Sequence, residues 1–435
     1  MEFLINDSLK LGNILFYIGI FLLPSAFSLG SILLIISLIF SFTSTKENFY
    51  KEKLNLTFLI SSLLLLFSSI INFLDPNAIN NIADNSYLTF VGLFNWIPHI
   101  FLFIGCQKYL KNSNTRRNCV IALISGSIPI LFSCFSQSLL NWHGPMQTLF
   151  GLIVWYQRPI DGITGITGLF NNPNYLGAWL NIIWPFCIAI MFFDNKNAIK
   201  VIIKIFLTIS ISALIILTGS RSAWICLLIP IPLIFPQKFR KWFFYSIPFI
   251  TFLILNLSFP LLGKGFQSFL RALVPEGLWI NFTNIGYETL EISRLDIWRY
   301  ASNFALESSV FGHGSRSFTS LLFNETGIWK GHSHNLPLEL MVSYGIPTAL
   351  ILLLSISYIV YKSYNKLFFS DIKTNKKTII DKAWLVSLVI LMLMHLVDIQ
   401  YFDGRISIVG WILLAGAKNI IYDDEIKATL NHREY

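Results

Sequence analysis

Two arginines of this sequence stand where an anion-binding site would need them, directly after a residue that can begin a helix. Arg221 follows Ser220 in Gly-Ser-Arg-Ser (219–222), and Arg294 follows Ser293. A serine N-cap, at Ser220 or Ser222 for the first helix and at Ser293 for the second, leaves each arginine in or near the first helical turn, although the helix dipole disfavours a cation there. An anion that contacts both the helix amides and the guanidinium would explain this placement. The alternatives are an Arg221 that snorkels to lipid headgroups and a solvated Arg294.

A histidine pair and an asparagine motif precede two further predicted helices. Gly-His-Ser-His-Asn-Leu-Pro (331–337) places His332 and His334 before a first turn that holds Pro337, and Gly-Leu-Phe-Asn-Asn-Pro-Asn (168–174) precedes the other helix. Protonation of a histidine is disfavoured at a helix N-terminus, so it is poised there as a neutral base or hydrogen-bond donor. Asparagine amides can cap a helix or bind hydroxyl groups. No cysteine or acid lies within a helical turn of the histidines, so we predict no metal.

The elements that position these residues are membrane helices. The chain has 435 residues, of which 54% are hydrophobic and 13% are charged, whereas a soluble protein carries about 25% charged residues. Because one soluble core cannot bury so much apolar surface, the solvent must be lipid. The first apolar stretch lacks a small-residue cleavage site and is predicted to be a span, not a signal peptide. The five dispersed cysteines are expected to be packing residues.

We predict an all-α polytopic membrane protein with one integral membrane domain over residues 1–435 and about twelve transmembrane helices. The spans are expected at 11–24, 28–43, 54–74, 88–107, 118–134, 174–192, 201–218, 222–236, 242–262, 335–361, 381–398 and 406–420. Two long external segments remain, 135–173 and 263–334, and the shorter external turn at 75–87 is acidic. Residues 293–305 predict an amphipathic helix in the second long segment.

The basic residues set the predicted orientation. With both termini in the cytoplasm, most of the 32 lysines and arginines fall on the cytoplasmic side, although the two longest loops lie outside. This is the positive-inside bias of a chain oriented during insertion. The net charge of +9 is then a consequence of topology and not of a nucleic-acid partner. The remaining nine face outward, and they are Arg158, Arg221, Lys264, Arg271, Arg294, Arg299, Arg316, Lys330 and Arg405.

The four helix starts that carry Arg, Arg, His and Asn therefore face one compartment. If they converge, they form a site for a polyanion flanked by hydroxyl-rich groups, and the diphosphate of a membrane lipid carrier fits that description.

The motifs together resemble the O-antigen ligase and polymerase superfamily, in order and spacing, over residues 160–360. They are the motif at 168–174, Gly-Ser-Arg-Ser-Ala (219–223), Ser-Arg-Leu-Asp-Ile-Trp (293–298), Phe-Gly-His-Gly (311–314), His-Asn-Leu-Pro-Leu-Glu (334–339) and Tyr-Gly-Ile-Pro (344–347). The resemblance implies a C-type glycosyltransferase fold. It also implies transfer of a glycan from an undecaprenyl-diphosphate carrier, at the periplasmic face of the bacterial inner membrane, to lipid A–core, another glycan or a protein.

The resemblance further implies an inverting, metal-independent reaction that uses no cofactor. Arg221 and Arg294 would bind the diphosphate leaving group, and His334 would position or deprotonate the acceptor hydroxyl. Substrate-binding residues are then expected at Asn171, Asn174, Ser220, Ser222, Asn335, His332 and Arg405.

Three other functions stay open from the sequence. A polymerase of the same superfamily would use the same residues. The segment from Met394 to Arg405 also resembles a cyanobacterial branch once proposed to act in bicarbonate uptake, and Asp398, Asp403 and Arg405 form either an interfacial charge cluster or the acceptor side. An anion transporter would place ionisable groups near the bilayer midplane, where His99 and His395 are the main candidates. A lipid-linked glycan exporter would need a polar cavity through many spans.

Overall fold

The computed structural model describes residues 2–44, 52–74, 87–160, 165–193, 197–234, 237–274, 279, 292–369 and 376–423. The chain divides into two compact units, Met1–Gly126 with Ile292–Tyr435 and Ser127–Glu291. Nearly all of the acidic turn at 75–87, part of both long segments and six of the basic residues lie outside the described residues. These six are Lys46, Lys51, Lys196, Lys373, Lys427 and Arg433.

The first unit is all-helical. It contains α1 (Glu2–Leu22), α2 (Phe27–Thr43), α3 (Lys53–Leu74), α4 (Leu88–Val91), α5 (Ile97–Cys106), α6 (Ser113–Gly126), α14 (Arg294–Glu307), α15 (Ser317–Thr326), α16 (Leu336–Tyr344), α17 (Ile346–Phe368), α18 (Lys376–His395) and α19 (Gly404–Tyr422). Short 3₁₀ turns cover Gly92–Asn95, Gln107–Leu110 and Gln400–Phe402.

The second unit adds a small β-ribbon to its helices. The helices are α7 (Ile128–Leu140), α8 (Pro173–Met191), α9 (Ala198–Leu217), α10 (Arg221–Leu228), α11 (Pro230–Ile234), α12 (Gln237–Ser258) and α13 (Lys264–Leu273). Strands β1 (Met146–Thr148) and β2 (Ile153–Trp155) pair antiparallel with Met146 opposite Trp155, and the 3₁₀ turn Leu149–Gly151 joins them.

Helices stand at every position where a span is predicted. Within the described part of the chain, eight segments are long and apolar enough to cross a membrane: Lys53–Leu74, Thr89–Leu110, Ser113–Leu140, Pro173–Met191, Ala198–Leu217, Ile346–Phe368, Thr378–His395 and Gly404–Tyr422. Four shorter apolar helices cover Ser8–Leu22, Phe27–Thr43, Arg221–Ile234 and Phe244–Ser258. The all-α membrane fold is therefore confirmed, while the count of twelve spans stays a prediction.

Gly345 divides the predicted span at 335–361 into two helices. Its φ is +85°, and a Cβ atom on it would lie 2.0 Å from the carbonyl oxygen of Val310. Only glycine tolerates both the left-handed backbone and this close approach. Helix α16 therefore ends at Tyr344, and the long apolar helix α17 starts after the break with Pro347 in its first turn. The histidine motif is thus carried by a short separate helix.

Helix α14 buries the face that its sequence predicts. Ile297, Ala301, Phe304 and Ala305 are all at most 3% exposed and pack in one cluster with side chains of α15 and α16. Burial of a large apolar side chain contributes about 1.5–3 kcal/mol. This cluster fixes α14, which begins with Arg294, against the helix that follows His334.

The Phe-Gly-His-Gly motif at 311–314 holds α16 in place through the backbone. The amide of His313 donates to the carbonyl of Val342 at 2.7 Å, and the amide of Gly314 donates to Ser343 at 3.1 Å. From α3, Asn72 Nδ2 donates to the carbonyl of Phe311 at 3.0 Å. The motif therefore ties α16 to a membrane-spanning helix.

One end of α18 and α19 holds buried ion pairs. Arg116 is fully buried, and its Nε and Nη2 donate to Asp381 at 2.7 and 2.9 Å while Nη2 also donates to Asp423 at 2.7 Å. Nearby on α19, the ammonium of Lys418 donates to the carboxylate of Glu52 and to the side-chain amide oxygens of Asn55 and Gln107. Each of these buried charges has an opposite charge as partner.

Candidate functional site

His334 and Asp398 form a hydrogen-bonded pair in the first unit. His334 Nδ1 lies 3.0 Å from Asp398 Oδ1, although 64 residues separate them in the chain. Asp398 lies in the turn after α18 and is 5% exposed, and its Oδ1 also accepts from the amide of Ile399 at 2.9 Å. Because a carboxylate only accepts, Nδ1 of His334 carries the proton and the lone pair of His334 is on Nε2. A neutral imidazole oriented in this way can act as a general base.

His332 lies beside this pair. The rings of His332 and His334 have centroids 4.2 Å apart, and His332 Nε2 lies 3.8 Å from Asp398 Oδ1. The amide of His334 donates to His332 Nδ1 at 3.1 Å, which places the remaining ring proton of neutral His332 on Nε2.

His332, His334 and Asp398 are grouped closely enough to hold a metal ion, since one potential ligand atom of each lies within 4.8 Å of the others. We predicted no metal because no acid lies within a helical turn of the histidines in the sequence. That reason was wrong, because the fold brings Asp398 to them. The hydrogen bonds, however, fit metal ligation poorly. The ring nitrogens that face Asp398 both carry protons, and a metal would have to displace them. The arrangement fits proton transfer better.

The backbone around His334 is held in an unusual conformation. His334 has φ +53°, a left-handed value that costs a non-glycine residue about 1–3 kcal/mol. On one side the amide of buried Ser333 donates to Glu339 Oε2 at 2.9 Å. On the other side Asn335 caps α16, because its Oδ1 accepts from the amide of Leu338 at 3.0 Å and its Nδ2 donates to the carbonyl of Leu396 at 2.9 Å. These hydrogen bonds hold the strained backbone conformation in which the His334 side chain points toward Asp398.

The electrostatics keep Asp398 charged and His332 neutral. Burial raises the pKa of Asp398, but the hydrogen bond from His334 and the electrostatic interactions with the two imidazoles outweigh burial and bring the pKa below its ordinary 3.8. Burial lowers the pKa of His332 from 6.5 to about 4, with the His334 imidazole and the Arg294 guanidinium acting in the same direction and Asp398 opposing. At neutral pH one buried carboxylate therefore faces a neutral imidazole of His332.

Arg294 is the predicted arginine that belongs to this unit, and it begins α14 as expected. Ser293 is the N-cap, with its Oγ accepting from the amide of Asp296 at 3.2 Å and donating to Asp296 Oδ2 at 2.6 Å. The charge of Arg294 acts on His332, so the guanidinium lies within electrostatic reach of the histidine pair. An anion held by Arg294 would be close to the general base.

Arg405 forms an ion pair with Asp403. It is 7% exposed, and its Nε and Nη2 donate to Asp403 at 3.0 and 2.5 Å. Asp403 also caps α19, accepting from the amide of Arg405 at 3.0 Å. The structure thus separates the predicted cluster: Asp398 joins the histidines, whereas Asp403 and Arg405 form a pair at the start of α19. Substrate binding by Arg405 stays a prediction.

The second unit carries the other predicted residues. Helix α10 begins at Arg221 with Ser220 at the N-cap position, although the Ser220 hydroxyl bonds to Ser222 Oγ at 3.1 Å and not to a helix amide. In the asparagine motif the capping residue is Asn172, whose Oδ1 accepts from the amide of Asn174 at 2.8 Å. Asn171 has a buried Oδ1 without a hydrogen-bond partner among the described residues. Their convergence with His334 stays a prediction.

Asp398 is the residue of this group whose link to His334 the sequence did not indicate. We expected it with Asp403 and Arg405, either in an interfacial charge cluster or on the acceptor side, and nothing in the spacing linked it to the histidines. One signal was present: an acid at the last position of a predicted span (381–398), on the same side as His334. Such a residue can reach a neighbouring helix start, but only packing decides which one.

The comparison with protein families follows this geometry. The family model described as O-Antigen ligase matches residues 205–353 of the chain. The resemblance to the O-antigen ligase superfamily is confirmed. The matched residues fall within the predicted 160–360 and include Arg221, Arg294 and His334, but end before Asp398. No curated protein sequence matches the chain significantly.

Members of the O-antigen ligase family are membrane ligases and polymerases of the glycosyltransferase type, and the family implies lipid-linked glycan substrates. Together with the eight apolar segments, the match shows a multi-pass membrane protein. Because the match covers about a third of the 435 residues, the remaining helices are known from the structure alone.

Proposed function

We infer that the protein transfers a glycan from a polyprenyl-diphosphate carrier, with undecaprenyl diphosphate as the expected one, to an acceptor hydroxyl. The observation that carries this inference is the His334–Asp398 pair at the start of α16, held at 3.0 Å within electrostatic reach of Arg294. A base beside a cation is the combination that a hydroxyl nucleophile and an anionic leaving group require. The matched O-antigen ligase family supports the same reaction class.

The proposed step is an inverting substitution at the anomeric carbon. His334 Nε2 removes the proton of the acceptor hydroxyl, and the oxygen attacks the anomeric carbon from the face opposite the diphosphate. The bond between the anomeric carbon and the diphosphate oxygen breaks, and the electron pair leaves with the diphosphate. Asp398 stabilises the imidazolium that forms, and Arg294 stabilises the departing charge, as guanidinium groups do in phosphoryl recognition. We propose that no metal ion takes part.

Arg221 is proposed as a second ligand of the diphosphate. It begins α10 in the second unit, within the matched family region, and helix amides with a guanidinium suit an anion. Asn171, Asn174, Ser220 and Ser222 are proposed to bind glycan hydroxyls. The distribution of basic residues supports a reaction at the periplasmic face of a bacterial inner membrane. Lipid A–core is one acceptor; in a polymerase the acceptor is another glycan, and the same residues serve both reactions.

The experiment compares transfer by wild-type protein with transfer by three alanine variants. His334→Ala, Arg294→Ala and Arg221→Ala are expressed in the native host deleted for the gene, and glycan attachment is read on gels. Each variant should lose attachment, by about 10²–10⁴-fold for the base, with unchanged protein level and membrane insertion. Arg299→Ala, on the exposed face of α14, is the matched control and should retain attachment. Wild-type glycan profiles in His334→Ala and Arg294→Ala would contradict the proposal.

A further inference from the structure

His332 is held in one orientation between the proposed base and the turn that follows Asp398. Its ring centroid lies 4.2 Å from that of His334 and 5.6 Å from that of Phe402, and its side chain is 18% exposed. Phe402 belongs to the 3₁₀ turn Gln400–Phe402, which starts two residues after Asp398. The segment that supplies the carboxylate for His334 therefore also supplies a packing surface for His332.

The imidazole of His332 closes a local turn through its Nδ1 atom. The amide of His334 donates to this atom at 3.1 Å, so a side chain takes the place of the backbone carbonyl that usually closes a turn. His334 has the left-handed φ of +53°. Because φ is the rotation about the bond from this amide nitrogen to Cα, an amide held by His332 helps to keep φ at its strained value.

The other ring nitrogen of His332 leaves the carboxylate to His334. His332 Nε2 lies 3.8 Å from Asp398 Oδ1, too far for a hydrogen bond, whereas His334 Nδ1 lies 3.0 Å from the same oxygen. His332 therefore does not compete with His334 for Asp398. A neutral imidazole has one proton, and with that proton on Nε2, facing the carboxylate, the Nδ1 lone pair accepts from the His334 amide.

The surroundings of His332 are protein groups. An apolar cavity of about 130 Å³ borders the same segments, with Leu336, Pro337 and Leu396 in its wall. His332 is not among the residues that line this cavity. Its contacts are with two aromatic rings, one carboxylate and one backbone amide of the chain itself. These contacts favour a role within the protein over the binding of a ligand in the cavity.

We propose that His332 is a positioning residue for the base: its Nδ1 atom holds the turn in which His334 is directed at Asp398, and its Nε2 atom is not required. The catalytic consequence rests on the proposed transfer reaction, in which His334 takes the proton of the acceptor hydroxyl. Without the bond to Nδ1, the peptide unit before His334 can rotate, and a displacement of about 1 Å costs about 10²-fold in rate. This role differs from the substrate binding that the sequence predicts for His332.

Three substitutions separate the roles of the two ring nitrogens. His332→Asn keeps an acceptor at the δ1 position, because asparagine Oδ1 is bonded to Cγ as histidine Nδ1 is, and asparagine side chains accept from the amide two residues on. His332→Gln keeps polar atoms at the ε position only, and His332→Leu keeps neither. We expect kcat for glycan transfer to stay within about threefold of wild type in His332→Asn and to fall about 10–100-fold in the other two, with KM unchanged.

The matched control is His143→Leu, which should transfer glycan like wild type. His143 is exposed, and its Nδ1 atom also lies 3.0 Å from a backbone atom two residues away, the carbonyl oxygen of Asn141. Equal kcat in His332→Leu and His332→Asn would overturn the proposal. Activity that is kept by His332→Gln and lost by His332→Asn would overturn it too, as would a raised KM with unchanged kcat, because both results assign His332 to the substrate.

A second measurement, on the purified full-length protein in lipid nanodiscs, needs neither donor nor acceptor. Nitrogen-15 NMR of labelled histidines reports which ring nitrogen of His334 carries the proton, and His334→Ala identifies its signals among the seven histidines. Wild type and His332→Asn should show the Nδ1–H form alone, whereas His332→Gln and His332→Leu should show both tautomers. The signals of the other histidines report that each variant is folded.

The positioning of His334 and the transfer reaction can therefore fail separately. Unchanged His334 signals in folded His332→Gln and His332→Leu would overturn the proposal, whatever the enzyme transfers. The expected signals together with no glycan transfer by the wild-type protein would contradict the reaction, while the positioning of His334 by His332 would stand.

Discussion

The two ends of α18 and α19 differ in the partners of their buried carboxylates. At the end near Asp381 and Lys418, each buried charge meets an opposite charge within hydrogen-bonding distance. At the other end Asp403 is paired with Arg405 as well, but Asp398 contacts the imidazoles of His334 and His332, and His334 keeps its Nε2 without a partner among the described residues. The ends are about 20 Å apart along α18, at 1.5 Å per residue.

The difference indicates which end is built for stability and which for chemistry. Fully paired charges lower the cost of burial and leave no group available to a substrate. A base whose orientation is fixed by a buried carboxylate, on a left-handed backbone that strains it, is instead poised to react. The paired end also gives no support to anion transport, because its ionisable groups lie near helix ends and bind each other.

The largest expected effect is on stability, at the paired end. Arg116→Met leaves Asp381 and Asp423 buried without their cation, which should lower the free energy of unfolding by about 3–5 kcal/mol. Activity per folded molecule should not change. Denaturant unfolding in detergent measures the loss, and Arg117→Met, at an exposed neighbouring position, should change stability by no more than about 0.5 kcal/mol. A loss of activity per folded molecule in Arg116→Met would show that the paired end also contributes to catalysis.

Asp398→Asn should affect catalysis more than stability. The amide oxygen can still accept from His334 Nδ1, but the charge that stabilises the imidazolium is lost. We expect kcat to fall about 10–100-fold, or about 1.4–2.7 kcal/mol, with little change in the KM of the donor. Asp403→Asn, which alters the separate pair with Arg405, is the comparison. An equal loss of kcat in Asp403→Asn would show that the two carboxylates act together after all.

The neutral His332 predicts a loss of stability in acid. Its pKa is about 4 in the folded protein and 6.5 when unfolded, so the unfolded state takes up the proton first as the pH falls. The contribution of His332 to the free energy of unfolding should therefore drop between pH 6.5 and 4, by about 2 kcal/mol at pH 5. Asp398 adds to this only below its ordinary 3.8. Melting temperatures at pH 7 and pH 5 should differ less in His332→Asn than in wild type, and equal differences would refute the prediction.

The smallest effect is expected for Asn335→Ala. It removes the cap of α16 and the bond to the carbonyl of Leu396, at a cost of about 1 kcal/mol. Asn335→Asp keeps the capping oxygen but loses the donor, and should lie between alanine and wild type. Thermal unfolding measures both. A raised KM for the acceptor with unchanged stability would instead assign Asn335 to substrate binding, as the sequence predicted.

Much of the local structure followed from the sequence. The N-cap of α14 at Ser293 and its buried face with Ile297 and Phe304 are as predicted, and α10 starts at Arg221, between the two serines that were candidates for its cap. These features depend on residues within about one or two helical turns, and so the pattern contains the necessary information. The break at Gly345 was missed because the clash that demands glycine comes from Val310, which is distant in sequence.

The sequence by itself therefore determined that this is a helical membrane protein with Arg221, Arg294 and His334 at helix starts. Apolar content and local capping preferences suffice for that. Only the tertiary structure decided that Asp398 orients His334 and that an apolar cavity lies next to the segments that carry this pair. These contacts join residues up to 64 positions apart, and which carboxylate reaches which partner depends on how whole helices pack.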